Sequence, residues 1–377
     1  MKLSCFREKL NHGLNVVGRA AATRTTLPIT SNVLLETDQS RLKLSATNLE
    51  MAISCWIGAK VEEEGAITVN ARLLTEFINS LPNDKVDITL PARSKSLKLK
   101  CARFEARISG VDAKDFPPVP TLEGGISTRV EAEAFRKAIS QVVFAAAVDE
   151  SRPVLTGVNA EFEGDSLTLA AADGFRLAVY KMALSEPVKE KIKAIIPART
   201  LGELNRLTSE QDETIAITID TRKSQILFSL KDIEIVSQLV QGTFPQYAQL
   251  IPQSYSSRAV VDTIAFQMAT KTAAIFARDG GGIIRLIMTP GSDKLPGKLS
   301  ISARSEEIGE DEGEIDAAIE GEEAKIAFNG KYLTDVLGVI GESQAALEVT
   351  NPSSPGVIRP VGVDNYTHVI MPMFVQW

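Results

Sequence analysis

A chain of 377 residues with 44% apolar and 24% charged side chains has room for two or three soluble domains, each with its own core. No apolar run reaches the length of a membrane span, and charge enters too early in Met1-Lys2-Leu3-Ser4-Cys5-Phe6-Arg7-Glu8 for a signal-peptide core, so the expected location is the cytoplasm. A net charge of −7 opposes a phosphate-rich partner unless basic residues gather on one face or attachment does not depend on affinity.

In chain order, the first predicted element is a helix with Phe6, Leu10, Leu14 and Val17 on one face, interrupted by Gly13. Alternating strands follow, among them Leu42, Leu44 and Ala46. A second helix carries Leu74, Phe77, Ile78 and Leu81, and strands such as Leu97, Leu99 and Cys101 complete the unit. The same order then recurs. Phe135, Ala138, Ile139, Val142 and Val143 form a helical stripe, Leu167 and Leu169 a strand. Leu201, Leu204 and Leu207 form a second stripe, and Ile215, Ile217 and Ile219 a closing strand. A third pass places Phe266, Ala269, Thr270, Ala273 and Ala274 on a helix, Leu299, Ile301 and Ala303 on a strand, Leu333, Val336, Leu337 and Ile340 on a second helix, and Leu347 and Val349 on a strand.

One short phrase marks the repeat. Val69-Asn70-Ala71-Arg72-Leu73-Leu74, Ile196-Pro197-Ala198-Arg199-Thr200-Leu201 and Phe328-Asn329-Gly330-Lys331-Tyr332-Leu333 each end an extended run and open a helical one. The copies stand roughly 130 residues apart, a domain length rather than a solenoid period. Asp115-Phe116-Pro117 likewise recurs as Thr243-Phe244-Pro245. The expected class is α+β: three related domains, 1–122, 127–253 and 256–377, each with two short helices and roughly eight strands. The linkers fall at Leu122-Glu123-Gly124-Gly125 and Pro252-Gln253-Ser254-Tyr255-Ser256-Ser257.

Little in the chain supports catalysis. His12 and His368 have no motif around them, and neither a Walker A loop nor a G-x-G-x-x-G run is present. Asp279-Gly280-Gly281-Gly282 reads as a turn between a helix and a strand. Cys5, Cys55 and Cys101 read as small buried hydrophobes rather than zinc ligands. No cofactor or metal is expected. The run Glu306, Glu307, Glu310, Asp311, Glu312 and Glu314 lacks calcium-loop spacing. It reads either as a solvated loop or as a surface that docks on a basic edge such as Arg93, Lys95, Lys98, Lys100 and Arg103.

The basic residue of the repeated phrase carries more. Arg72, Arg199 and Lys331 all open a helix, where the dipole disfavours a cation. Three equivalent cases point to an anion outside the helix, and a phosphate backbone suits. The plain alternative is pairing within the helix, since Glu76, Glu203 and Asp335 each stand four residues on.

Taken together, these repeats resemble the bacterial DNA polymerase III beta subunit family, the sliding clamps, over essentially the whole chain. The resemblance is carried by Arg24-Thr25-Thr26-Leu27-Pro28-Ile29, Ala46-Thr47-Asn48-Leu49-Glu50, Ser151-Arg152-Pro153-Val154-Leu155-Thr156-Gly157, Ala172-Asp173-Gly174-Phe175-Arg176-Leu177-Ala178, Thr243-Phe244-Pro245-Gln246-Tyr247 and Val369-Ile370-Met371-Pro372-Met373. It implies clamp-type domains, each with two helices on two antiparallel sheets. Two chains would join head to tail as a homodimer, a six-domain ring with sheets continuing across domain boundaries. Helices would line a hole around double-stranded DNA, read without regard to sequence and without catalysis by this subunit. Arg24, Arg72, Arg199 and Lys331 would face the DNA.

The replicative polymerase, the clamp loader and repair proteins would bind by short linear peptides in a groove of Leu155, Gly174, Phe175, Arg176, Leu177, Pro245, Leu250, Val369, Met371, Pro372 and Met373. Arg103 and Phe104 would meet Ile275 and Phe276 across the ring contact. Ala172 and Phe175 depart from the family, which usually carries Thr and then His or a small polar residue. Phe374-Val375-Gln376-Trp377 runs past the usual end and suggests a tail that folds back and competes with peptides. Two rival readings are an enzyme built on a carboxylate pair such as Asp173 with a neighbouring acid, and a peptide adaptor that ignores DNA.

Overall fold

The computed structural model describes residues 1–22, 25–92, 94–122, 124–210, 214–278, 280–292 and 295–377. Six α-helices occur among them: α1 (Arg7–Val17), α2 (Ala71–Ser80), α3 (Ala132–Val142), α4 (Ala198–Leu207), α5 (Thr263–Ala277) and α6 (Gly330–Leu337). They fall two to a repeat, with 25 strands distributed nine, eight and eight. Every strand pairing is antiparallel, as alternating patterns with one solvated face require.

The repeated phrase works as a strand-to-helix junction. Strand Ala66–Asn70 runs into α2, Ile192–Pro197 into α4 and Ala324–Asn329 into α6. Asn70 caps α2 by accepting from the Leu73 N–H at 2.9 Å, and Asn329 caps α6 by accepting from the Lys331 N–H at 2.9 Å. α6 stops at Leu337, earlier than the stripe predicts. Gly338 takes the C-cap, and Ile340 is buried just beyond it. Gly13 does not interrupt α1. A Cβ there would lie 2.7 Å from Leu44 Cδ1 and 3.0 Å from Ile57 Cγ2, so glycine lets the helix settle close onto strands Arg41–Thr47 and Met51–Gly58.

The chain divides into two compact units. The first comprises Met1–Glu133, Leu184–Val188 and Glu203–Leu239; the second comprises Ala134–Ala183, Lys189–Gly202 and Val240–Trp377. The first holds a 13-stranded sheet. In it strand Ile233–Gln238, from the central repeat, pairs with Met51–Gly58, from the first, in the register Ile233↔Cys55 to Ser237↔Met51. The second holds a 12-stranded sheet. There Tyr366–Ile370 pairs with Arg176–Ala183 in the register Ile370↔Arg176 to Tyr366↔Tyr180. In both cases the last strand of one repeat docks on the fourth strand of the repeat before it. The central repeat therefore gives strands to both sheets.

The helices lie on these sheets by their apolar stripes: Leu10, Leu14 and Val17 of α1 and Phe266, Ala273 and Ala277 of α5 are buried. Cys5, Cys55 and Cys101 are buried and unpaired, and burial pushes the thiols of Cys5 and Cys55 up to about 12. The reading of the acidic run as a loop is corrected here. Glu310, Asp311, Glu312 and Glu314 sit on the 13-residue strand Gly309–Gly321, paired with Gly297–Ser305 from Ser305↔Gly309 to Gly297↔Ala317. Asp279 of the glycine run lies outside the described residues; Gly281 and Gly282, at φ +73° and +74°, form the turn between α5 and strand Ile283–Thr289.

Candidate functional site

In the second unit, most of the residues assigned to a groove converge. Ala170, Ile195 and Phe244 form a buried apolar cluster, with Val154, Leu155, Ala172, Val179, Val240 and Tyr247 packed on it. Leu177, Val357 and Val369 form a second cluster, which shares Ala172, Val179 and Tyr247 with the first and adds Ile251. The two are thus one continuous apolar bed. Leu155 stands within the 3-10 turn Pro153–Thr156, whose proline presets the backbone. Leu177 and Val369 face each other across the paired strands. Phe244 meets Tyr247 edge-on at 6.2 Å, and burial raises the Tyr247 phenol to about 12.

The rim is exposed. Phe175 is 57% accessible, Leu250 56% and Met371 45%, while Pro245 is exposed and Pro372 and Met373 are half-buried. A lip of exposed apolar side chains over a buried apolar bed suits an extended peptide with a few deep anchors. Sequence reasoning missed Phe244, Tyr247 and Val357. The first two stood in a quoted phrase but were given no place in the groove.

The loop over this bed is held by its own side chains. Asp173 Oδ1 accepts from the backbone N–H groups of Phe175 and Arg176 at 2.9 and 3.0 Å. Gly174 has φ +95°, a left-handed conformation that favours glycine; a Cβ on it would meet only the mobile end of Arg152, at 2.7 Å from Nη1. The Phe175 carbonyl accepts from the Met371 N–H at 2.8 Å, which joins the loop to the tail.

Arg176 does not present its charge to the groove. Its side chain is 6% exposed, and Nε donates to Asp173 Oδ2 at 3.0 Å, Nη1 to Asp335 Oδ2 at 2.7 Å and Nη2 to the Phe144 carbonyl at 2.6 Å. The guanidinium lies 4.5 Å from the Tyr332 ring centroid. Beside it His368 is fully buried, stacked on Phe144, and held neutral, its pKa lowered to about 3 by burial and then by the Arg176 cation.

The helix-opening cations are all exposed, and two are paired as the plain alternative predicts. Arg72 Nε lies 2.8 Å from Glu76 Oε1 and Lys331 Nζ 2.6 Å from Asp335 Oδ2. Such exposed pairs are weak and easily exchanged for another anion. Around Arg199 the pattern differs: Glu203 instead approaches Arg19 at 3.6 Å. Arg24 lies outside the described residues, as does Arg93 of the basic edge. An open cavity of about 510 Å3 between α1 and α2 is lined by Asn15, Arg19, Asn70, Arg72, Thr75 and Glu76. Arg19 was not singled out in the sequence, having no copy in the repeated phrase.

Arg103 and Phe104 sit at the hairpin before strand Phe104–Val111, with Phe104 54% exposed. Ile275 on α5 is 57% exposed and Phe276 is half-buried. α5 is apolar on its outer side too, since Ile264 and Met268 are also exposed. Among the described residues no group of His, Cys, Asp and Glu could hold a metal ion, and no helix is long and apolar enough to cross a membrane.

Three repeats, each joined to the one before by its last strand and each with two helices, define the DNA sliding-clamp class. Comparison with known proteins agrees. Residues 1–120, 129–246 and 248–374 match the N-terminal, central and C-terminal domains of the DNA polymerase III beta subunit. Beta sliding clamps of Synechococcus elongatus and Staphylococcus aureus are 31% and 30% identical, with 99% of each chain covered. The DNA polymerase sliding clamp of Bacillus subtilis superposes with a TM-score of 0.94 at 28% identity over 100% of both chains. A Pseudomonas aeruginosa clamp bound to griselimycin superposes at 0.92 and 31% identity, again over 100% of both.

The chain belongs to the DNA polymerase III beta subunit family. It is a DNA sliding clamp, a non-catalytic processivity subunit, and the enzyme and adaptor readings fall away.

Proposed function

We propose that two copies of this chain close head to tail into a ring of six domains, divided near 1–122, 127–253 and 256–377, that encircles duplex DNA. The carrying observation is the unused third docking. Two last strands are already seated on two fourth strands within the chain. The remaining fourth strand, Gly309–Gly321, is bonded on its far side only from Ala317 onward, and the remaining last strand, Phe104–Val111, only at Gly110 and Val111. Charge complements this: Glu310, Asp311, Glu312 and Glu314 would approach Lys98, Lys100, Arg103 and Arg107.

The apolar centre would come from Ile264, Met268, Ile275 and Phe276 against Leu73 and Phe104. Leu73 is 51% exposed, whereas its repeat counterpart Thr200 is buried. A heterologous contact that closes after two copies gives a finite ring rather than a filament.

Within the ring Arg72, Arg199, Lys331, Arg19 and Arg24 would face the phosphates. Retention by encirclement explains how an acidic chain keeps DNA without strong affinity. Peptides of the replicative polymerase, the clamp loader and repair proteins would enter the Leu155–Leu177–Val369 groove, and griselimycin would be expected to compete there. The site of action is the cytoplasm. The test loads the protein on nicked circular DNA and then linearises the circle. Loss from linear DNA is expected; retention on it would overturn encirclement.

A further inference from the structure

Asp335 joins two sites through a single oxygen. Oδ2 lies 2.7 Å from Arg176 Nη1 and 2.6 Å from Lys331 Nζ. Lys331 is 70% exposed and Arg176 6%. From Arg176 the chain of charged hydrogen bonds continues to Asp173 Oδ2, while Asp173 Oδ1 holds the Phe175 and Arg176 N–H groups. The Phe175 carbonyl then takes the Met371 N–H. An unbroken path of bonds therefore runs from a solvent-facing cation on α6 to both sides of the groove lip.

We propose that Asp335 is a positioning residue for the peptide groove, and that Lys331 tunes it by competing with Arg176 for the same carboxylate oxygen. With Lys331 in place, Asp335 divides its charge between two cations. When an external anion draws Lys331 away, the carboxylate serves Arg176 alone. The guanidinium is then clamped between two undivided carboxylates, and Asp173 and the Asp173–Phe175 loop lose freedom. A groove already in its bound shape binds its peptide more tightly, because less ordering is left for the moment of binding. If the anion is the DNA backbone, which rests on the encirclement reading above, partners are held more firmly by clamps on DNA than by clamps in solution. The Asp335–Lys331 competition itself does not depend on that reading.

The test is a cycle of variants in the free protein, read by fluorescence anisotropy with a fluorescein-labelled hexapeptide carrying leucine and phenylalanine anchors. Asp335→Asn is expected to weaken binding about five- to tenfold and Lys331→Ala to tighten it about two- to threefold, the range of modest coupling energies. In the Asp335→Asn background, Lys331→Ala should do nothing, since the shared charge is gone. Asp335→Glu guards against misfolding and is expected to restore affinity to within about twofold. Unchanged affinity in Asp335→Asn, or a Lys331→Ala effect that persists without the Asp335 charge, overturns the proposal.

A second arm repeats the wild-type and Lys331→Ala titrations on nicked circles. Wild type should tighten on loading and Lys331→Ala should not. Failure to be retained on closed circles would sink encirclement and leave the free-protein cycle to decide the coupling. Retention with unchanged wild-type peptide affinity would overturn the coupling to DNA.

Discussion

The imidazole of His368 stacks on the ring of Phe144, with centroids 5.5 Å apart and planes 25° from parallel. Its Nε2 is buried without a hydrogen-bond partner among the described residues. The folded pKa lies near 3, against 6.5 for a free histidine, so the unfolded chain binds the extra proton. The stability this neutral ring contributes is complete above about pH 6.5 and is lost as pH falls toward 3, by at most about 1.4 kcal/mol per pH unit. Thermal unfolding between pH 7 and 5 should show a fall of roughly 1.5–2 kcal/mol that His368→Phe largely removes. An equally steep fall in the variant would assign the loss to other groups.

Charged substitutions at the third seam should leave each chain folded and unable to close. Ile275→Glu with Phe276→Glu, or Leu73→Glu alone, is expected to give monomers in light scattering at micromolar concentration. A dimer that survives both would move the interface elsewhere.

The groove should depend on its bed more than on its lip. Leu155→Ala and Tyr247→Ala each remove side chains packed around Phe244. Each is expected to cost about tenfold in peptide affinity, or about 1.4 kcal/mol. Phe175→Ala, at the exposed rim, should cost less than threefold by calorimetry. Equal losses at all three would mean that the rim carries the anchor.

The tail is expected to be a bystander for peptides. Phe374 is 94% exposed, so it is not seated in an apolar groove, and the Met373 N–H is held by the Ala327 carbonyl at 2.7 Å. Truncation after Met373 should leave peptide affinity within about twofold. A marked tightening would restore the competing-tail reading.

Arg72 must leave Glu76 to reach a phosphate, whereas Glu203, at the matching position after Arg199, is turned toward Arg19. Arg199→Ala should therefore weaken binding to short duplexes at low salt more than Arg72→Ala does. Removing one cation from a phosphate should lower the slope of log affinity against log salt by about 0.9. Identical slopes for wild type and a triple variant with Lys331→Ala would exclude these cations from the DNA face.

The junctions between strands and helices were legible in the sequence because their causes are local. Asn70 and Asn329 cap the next turn with their own side chains, and a 3.6-residue stripe needs only nearest neighbours to declare itself. The acidic strand Gly309–Gly321 was not legible. Its pairing partner, Gly297–Ser305, imposes extension on residues that favour loops when considered alone. Arg176 illustrates the same limit. Its neighbours in the phrase mark it as a groove residue, but Asp335, 159 positions away, turns the charge inward and makes it a brace.

The sequence by itself determined the threefold repeat, the placing of two helices in each copy and the family, since each is written in periodicity and in short phrases. Tertiary structure alone decided which strands join the repeats into two sheets, where Arg176 spends its charge and that Asp335 serves Arg176 as well as Lys331. Those outcomes depend on residues far apart in the chain meeting within about 3 Å, a distance that no local pattern encodes.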